Sequence, residues 1–169
     1  DMQLDLKKFT ARSLATAISN LKNELVSPQD AATEAEKTRN EFEVVVAKVY
    51  ADYQAQLRRA NAVDVDDLIG EVVGIFQRHP EVAEHYRRRF RHVLIDEYQD
   101  TNHAQYVLVR ELVGGPGTSG AGSALPPGEL TVVGDSDKFI HAFRGVTIRN
   151  IEEFEEDYSS VRIILLEPN

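Results

Sequence analysis

HVLIDEYQDTN, residues 92–102, sends a short apolar run directly into two adjacent carboxylates, Asp96 and Glu97, with Asp100 close behind. A brief apolar run flanked by helical patterns reads as a strand buried on both faces of a parallel sheet. LTVVGD at 130–135 and VRIILLE at 161–167 repeat the form, and helical patterns fill both intervals, over 104–113 and 146–158. Strand, helix, strand, helix, strand is the economical order, and it predicts an α/β sheet. All three strands end in acid: Asp96-Glu97, Asp135 and Glu167. Ligands of open α/β sheets gather at the carboxyl ends of the strands.

Upstream of this unit the chain reads as helical. Leu14, Ile18, Leu21 and Leu25 form a stripe at spacings of four, three and four, and Ser27-Pro28 breaks it. The polar segment QDAATEAEKTRNE (29–41) leads into a second helix carrying Phe42, Val45, Val46, Val49, Tyr50 and Tyr53. Asp64 or Asp66 caps a third, with Leu68, Val72, Ile75 and Phe76, which His79-Pro80 stops before a further short helix. GGPGTSGAGSALPPG is too rich in Gly, Ser and Pro to bury much, and it predicts a mobile surface loop over about 114–128.

With 169 residues the chain suits one compact domain or part of a larger one, and 42% apolar with 28% charged residues is ordinary for a globular protein. No apolar stretch approaches the roughly 20 residues that span a bilayer, so no membrane partner is expected. The start, DMQLDLKKFT, has neither the basic opening nor the apolar core of a secretory signal, and it reads as a cut point. There is no cysteine, hence no disulfide framework and no thiolate zinc site, in keeping with a reducing cytoplasm. The net charge of −9 argues against the whole surface binding a polyanion and leaves room for a local groove.

A carboxylate on a strand end can hold magnesium directly or through water, and its neighbour can orient and deprotonate an attacking water. On that reading Asp96 is the metal residue and Glu97 the base; the plainer reading is that these acids cap a helix or face solvent. Other candidates weigh less. HYRRRFRH (85–92) can touch phosphates, but a basic run more often complements the dipole of a helix C-terminus. DVDDL can bind a metal, yet capping explains its acids. His79, His85, His92, His103 and His141 show no paired ligand spacing. GPGTSG (115–120) has the two-glycine spacing of a phosphate loop, but Ala121 and Gly122 stand where Lys and Ser/Thr are needed and no strand leads into it.

LIDEYQDTN (94–102) resembles the Walker B and DExx motif of superfamily 1 DNA helicases of the UvrD/PcrA/Rep type, and VVGDSDKFIHAFRG (132–145) resembles the motif that follows it. LDLKKF, AISNLKNEL, NAVDVDDLI, IRNIEEFEEDY and ILLEPN also occur in the order and approximate spacing of that family, over nearly the whole chain. The resemblance implies part of a RecA-like P-loop NTPase motor domain over 49–169, preceded by an α-helical inserted subdomain over 1–48. It implies ATP and Mg2+ as cofactors, with Asp96 on the magnesium, Glu97 as catalytic base, and Gln99 and Asp100 linking the nucleotide site to its surroundings. Asp135 would open the next motif, Lys138 would stand where relatives sense the terminal phosphate, and Arg144 would pair with a Walker B acid. His141 and Phe143 take the positions of two aromatic side chains that stack on bases of single-stranded DNA.

The activity so implied is ATP-dependent 3′–5′ translocation and unwinding in DNA repair or replication. The implied partners are single-stranded DNA, duplex junctions and DNA-repair proteins, in the cytoplasm and at the nucleoid. The phosphate loop would lie upstream of Asp1 and the second motor domain downstream of Asn169. Several positions depart from the family. Lys138 replaces a glutamine and, as a point charge, cannot accept a hydrogen bond from the attacking water. Phe139 replaces a serine, His141 a tyrosine and Pro168 a glutamine. These departures support a second reading, a noncatalytic DNA- or protein-binding module that keeps the motor fold without hydrolysis.

Overall fold

The computed structural model describes residues 9–134 together with Arg162 and Ile164. The expected helix over 146–158 and, those two residues apart, the expected strand over 161–167 lie outside the described residues. Within them the order is α1 (Ala11–Asn23), α2 (Pro28–Thr38), α3 (Glu41–Arg59), α4 (Val65–Arg78), α5 (Pro80–Arg89), β1 (His92–Ile95), a short 3-10 turn (Tyr98–Asp100), α6 (His103–Val113) and β2 (Glu129–Val132).

Each helix starts where a short polar side chain accepts from its exposed amides or a proline removes one of them. The Thr10 hydroxyl accepts from the Ser13 amide, and Ser27 accepts from the Asp30 amide with Pro28 in the first turn. Ser27-Pro28 therefore begins α2, whereas α1 has already closed before it: Leu25, expected on the helix stripe, is left-handed beyond the helix end, and the Val26 amide donates to the Leu21 carbonyl. The polar segment after Ser27-Pro28 is itself helical, because Ala31 and Ala35, four apart and buried, suffice to seat α2 on α3. Phe9, Leu14, Ile18, Ala31, Ala35, Val46, Ala47 and Tyr50 form the core of this three-helix unit.

α4 opens with a reciprocal cap: the Asp67 amide donates to Asp64 and the Asp64 amide donates to Asp67. DVDDL is thus a cap, and it also supplies the partners of a buried lysine. Lys22 on α1 is 6% exposed, and its Nζ donates to Asp64 Oδ2 at 2.7 Å and to Asp67 Oδ1 at 2.8 Å. From α3, the Tyr53 hydroxyl donates to Asp64 (3.0 Å) and Gln54 Nε2 to Asp67 (2.9 Å). The ammonium also lies 5.1 Å from the centroid of the Tyr53 ring. One charge cluster therefore fastens α1, α3 and α4 to one another.

β1 and β2 pair in parallel, with His92 opposite Glu129 and Ile95 opposite Val132. The strand–helix–parallel strand unit expected around residue 92 is present. Its burial differs from the expectation of a strand covered on both faces: Val93 and Ile95 are half-buried while Leu94 is 70% exposed. α6 packs against β1, and the face carrying Leu94 is open in the described structure.

The Gly/Ser/Pro segment expected as a mobile surface loop makes specific contacts. Arg87, 3% exposed, donates through Nη1 to the Glu111 carbonyl (2.9 Å) and the Ser119 hydroxyl (3.1 Å), and Arg91 donates to the carbonyls of Pro126 and Pro127. Arg87, Arg88 and Arg89 form the last turn of α5, so the basic run sits at a helix C-terminus and its most buried member holds a loop.

Removing one partner of a buried ion pair leaves an uncompensated charge. Lys22→Met should therefore lower the unfolding free energy by about 3 kcal/mol, read from the midpoint of a denaturant titration. The same cluster sets a pH window. Burial opposes the charge on Lys22, but its hydrogen bonds to Asp64 and Asp67 outweigh that and hold its pKa above the ordinary 10.5. Burial likewise raises Asp64, and the bonds from Lys22, the Asp67 amide and Tyr53 outweigh it and hold the carboxyl below the ordinary 3.8. A lowered acid stabilises above its unfolded value and loses that contribution as pH falls through the folded one; a raised base stabilises below its unfolded value and loses it as pH rises through the folded one. The cluster's contribution should accordingly be level between 3.8 and 10.0, the upper edge set by the Tyr53 hydroxyl, which burial and its bond to Asp64 hold above its ordinary value, and fall on both sides. Comparing wild type with Lys22→Met across pH checks this, since the difference between them should shrink at both extremes.

Candidate functional site

The sheet pairing continues past β1 and creates a strained corner. The Val133 amide donates to the Ile95 carbonyl (2.8 Å) and the Tyr98 amide to the Val133 carbonyl (2.9 Å), so Asp96 and Glu97 occupy the chain between two anchored points. Glu97 takes the left-handed conformation, φ 49° and ψ 45°. For a residue with a Cβ this costs about 1 kcal/mol. The chain then winds into the 3-10 turn, where the Asp100 amide donates to the Glu97 carbonyl and the Thr101 amide to the Tyr98 carbonyl. Tyr98 and Gln99 are buried and anchor the corner; Asp96 and Glu97 are exposed on it.

Both acids are held. The Glu97 amide donates to Asp96 Oδ1 at 2.8 Å, and Asp96 Oδ2 has no hydrogen-bond partner among the described residues. Gln99 Nε2 donates to the Glu97 carboxylate. The corner therefore presents two adjacent carboxylates at the end of a parallel strand, one oriented by a backbone amide and the other by a buried side-chain amide. Magnesium is usually held by one or two protein carboxylates together with water and substrate phosphates. Asp96 and Glu97 fit that donor set. Among the described residues no group of three or more His, Cys, Asp or Glu side chains gathers to hold a metal by itself.

The same motif faces a second way. Asp100, Asn102 and Gln105 line a cleft of about 620 Å3 with Ser19, Asn20 and Asn23 of α1. Asn102 caps α6 and exchanges hydrogen bonds with Gln105. The sequence places Asp96, Glu97, Gln99 and Asp100 within five residues; the structure puts the first three on the corner and turns Asp100 toward α1.

Asp135, Lys138, His141, Phe143 and Arg144 lie outside the described residues, as do Phe139 and Pro168. GPGTSG follows a helix, and three of its amides are engaged within the protein: Thr118 N–H donates to the Gly115 carbonyl (3.3 Å), Ser119 N–H to Glu111 (3.0 Å) and Gly120 N–H to the Thr118 hydroxyl (3.1 Å). They form no phosphate cradle. A residue the motif reading missed is Gly134, which lies against Tyr98 and Gln99. It lies inside VVGDSDKFIHAFRG, directly after an apolar strand, but that reading gave it no role.

Residues 1–159 match the family model of the UvrD/REP helicase N-terminal domain. An ATP-dependent DNA helicase UvrD1 from Mycobacterium leprae is 60% identical over 169 residues, which is all of this chain and 22% of that protein. The UvrD1 of Mycobacterium tuberculosis is 59% identical over the same length, covering 21% of it. An ATP-dependent DNA helicase PcrA from Staphylococcus aureus is 46% identical over 166 residues, 98% of this chain and 21% of that protein. The chain thus spans about a fifth of the length of the curated relatives it matches. No helix among the described residues is long and apolar enough to cross a membrane. A parallel strand ending in the Asp96-Glu97 corner, set in a match that covers nearly the whole sequence, leaves one assignment: the chain belongs to the UvrD/REP helicase N-terminal domain family.

Proposed function

We propose that the chain is part of an ATP-dependent 3′–5′ DNA helicase acting on single-stranded DNA and duplex junctions in repair or replication, with Asp96 and Glu97 as the hydrolysis acids. The observation that carries this reading is the corner itself: two exposed carboxylates, each oriented by a protein amide, at the carboxyl end of a parallel strand. A backbone strained at such a point is a reason to look for function there. The relatives' printed names, ATP-dependent DNA helicases, point the same way.

In this reading residues 49–169 are part of a RecA-like motor domain and residues 1–48 belong to a helical inserted subdomain. Asp96 would hold the magnesium of Mg-ATP, its carboxylate steadied by the Glu97 amide. Glu97 orients water for attack and takes its proton. When bound, the metal neutralises phosphate charge that builds up in phosphoryl transfer. Gln99 steadies Glu97, and Arg144 pairs with a Walker B acid. Asp135 and Lys138 contribute from the following motif, with the Lys138 ammonium meeting a phosphate as a point charge. His141 and Phe143 stack on bases of single-stranded DNA. DNA-repair proteins are the expected protein partners, and the cytoplasm and nucleoid the expected place of action.

In the longer helicase, Glu97→Gln keeps the shape of the side chain and removes the base. DNA-stimulated ATP turnover should fall by about a hundredfold or more, with folding unchanged by circular dichroism. Undiminished turnover would remove Glu97 from the role. The 169-residue chain alone has no residues matching a phosphate loop, and its own ATP hydrolysis should be negligible in a phosphate-release assay. Robust hydrolysis by the purified chain would show that its phosphate-binding groups have been misread.

A further inference from the structure

We propose that Gly134 is a positioning residue for Glu97, acting through the side chain of Gln99. The inference rests on the reading of Glu97 as the base. Gln99 is 3% exposed, and its two amide atoms face two different neighbours. Nε2 donates to the Glu97 carboxylate, while Oε1 lies where a side chain at Gly134 would begin: a Cβ there would sit 3.1 Å from Oε1 and 3.5 Å from the Tyr98 Cβ. A contact of 3.1 Å requires one group to yield by a few tenths of an ångström. An exposed glutamine would yield at little cost by rotating away. Buried Gln99 cannot do so without moving the amide nitrogen that holds Glu97.

Backbone preference does not account for the glycine. Gly134 is not among the residues with positive φ, unlike Gly114, Gly115 and Gly117, so its φ is open to an alanine, whose tightest contact among the described residues is with the Gln99 amide oxygen. The contact also has a fixed lever arm. Val133, the preceding residue, is bonded through its amide to Ile95 and through its carbonyl to Tyr98, so Gly134 emerges at a set place beside the corner. The absence of a side chain at 134 is what lets the Gln99 amide stand between the exit of β2 and the base. Any added bulk at that exit pushes through Gln99 onto the Glu97 carboxylate.

The test is a double-mutant cycle on DNA-stimulated ATP turnover in the longer helicase, with Glu97→Gln as the control. Gly134→Ala and Gln99→Leu should each lower kcat about tenfold to a hundredfold with the KM for ATP within about twofold of wild type, the size expected for a misplaced catalytic group. The double variant should be no slower than Gln99→Leu alone, because the alanine has no amide left to displace. Losses that multiply, or a Gly134→Ala enzyme with full kcat, overturn the proposal while the Glu97 reading stands. Undiminished turnover of Glu97→Gln overturns both. Gln99→Asn, which withdraws the amide by one methylene and adds no bulk at 134, must also lose kcat. Full activity in that variant overturns the proposal even where Gly134→Ala fails to fold, as judged by the thermal unfolding of the 169-residue chain.

Discussion

A buried ammonium is tolerable only when the groups around it replace most of what water supplied. Lys22 meets that condition through two carboxylates and the faces of two tyrosines, and those groups come from two other helices, α4 and α3. The geometry of the helical part follows. α1 must lie where Lys22 can reach the cap of α4, and α3 must present Tyr53 and Gln54 to the same two acids. A hydrophobic contact would accept sliding of one helix on another, whereas bonds of 2.7 and 2.8 Å fix both the rotation of α1 and its height along α4. α4 in turn packs on α6, the helix that leaves the acidic corner. The charge cluster is therefore part of what sets the frame in which the corner stands.

The corner is governed by the sheet. Tyr98 bonds to Val133 after β1 has ended, which pins the chain one step beyond the two acids and leaves Glu97 a left-handed conformation. That conformation costs energy and yields an arrangement that a relaxed strand end would not give. Successive side chains on a strand point to opposite faces, so consecutive carboxylates would diverge. Here the backbone turns between them, and one acid receives the amide of the other.

Much of this was legible in the sequence, and the exceptions share a cause. The apolar runs in HVLID (92–96) and LTVVGD (130–135), the cap at Asp64 and the stop at His79-Pro80 are local signals, and the strands and helices follow them to within a few residues. Asp96 and Glu97 stood out because carboxylates directly after an apolar run are conspicuous. Lys22 was not legible: its partners lie 42 and 45 residues away, and no period along α1 marks the one lysine that turns inward. α2 looked merely polar, since two alanines are all the apolar surface it needs. Gly134 was passed over because its neighbours Tyr98 and Gln99 meet it only after the sheet forms.

DEYQDTN has two faces, each committed to a different part of the fold. Asp96, Glu97 and Gln99 are committed to the end of β1 and the exit of β2, whereas Asp100, Asn102 and Gln105 look across a cleft to α1. Between them the buried Tyr98 and Thr101 fix the turn. The 3-10 turn carries the chain from one set of neighbours to the other within three residues. A substitution in this string therefore perturbs either the acids or the seating of the helical unit, and at Tyr98 or Gln99 it perturbs the corner on which both depend.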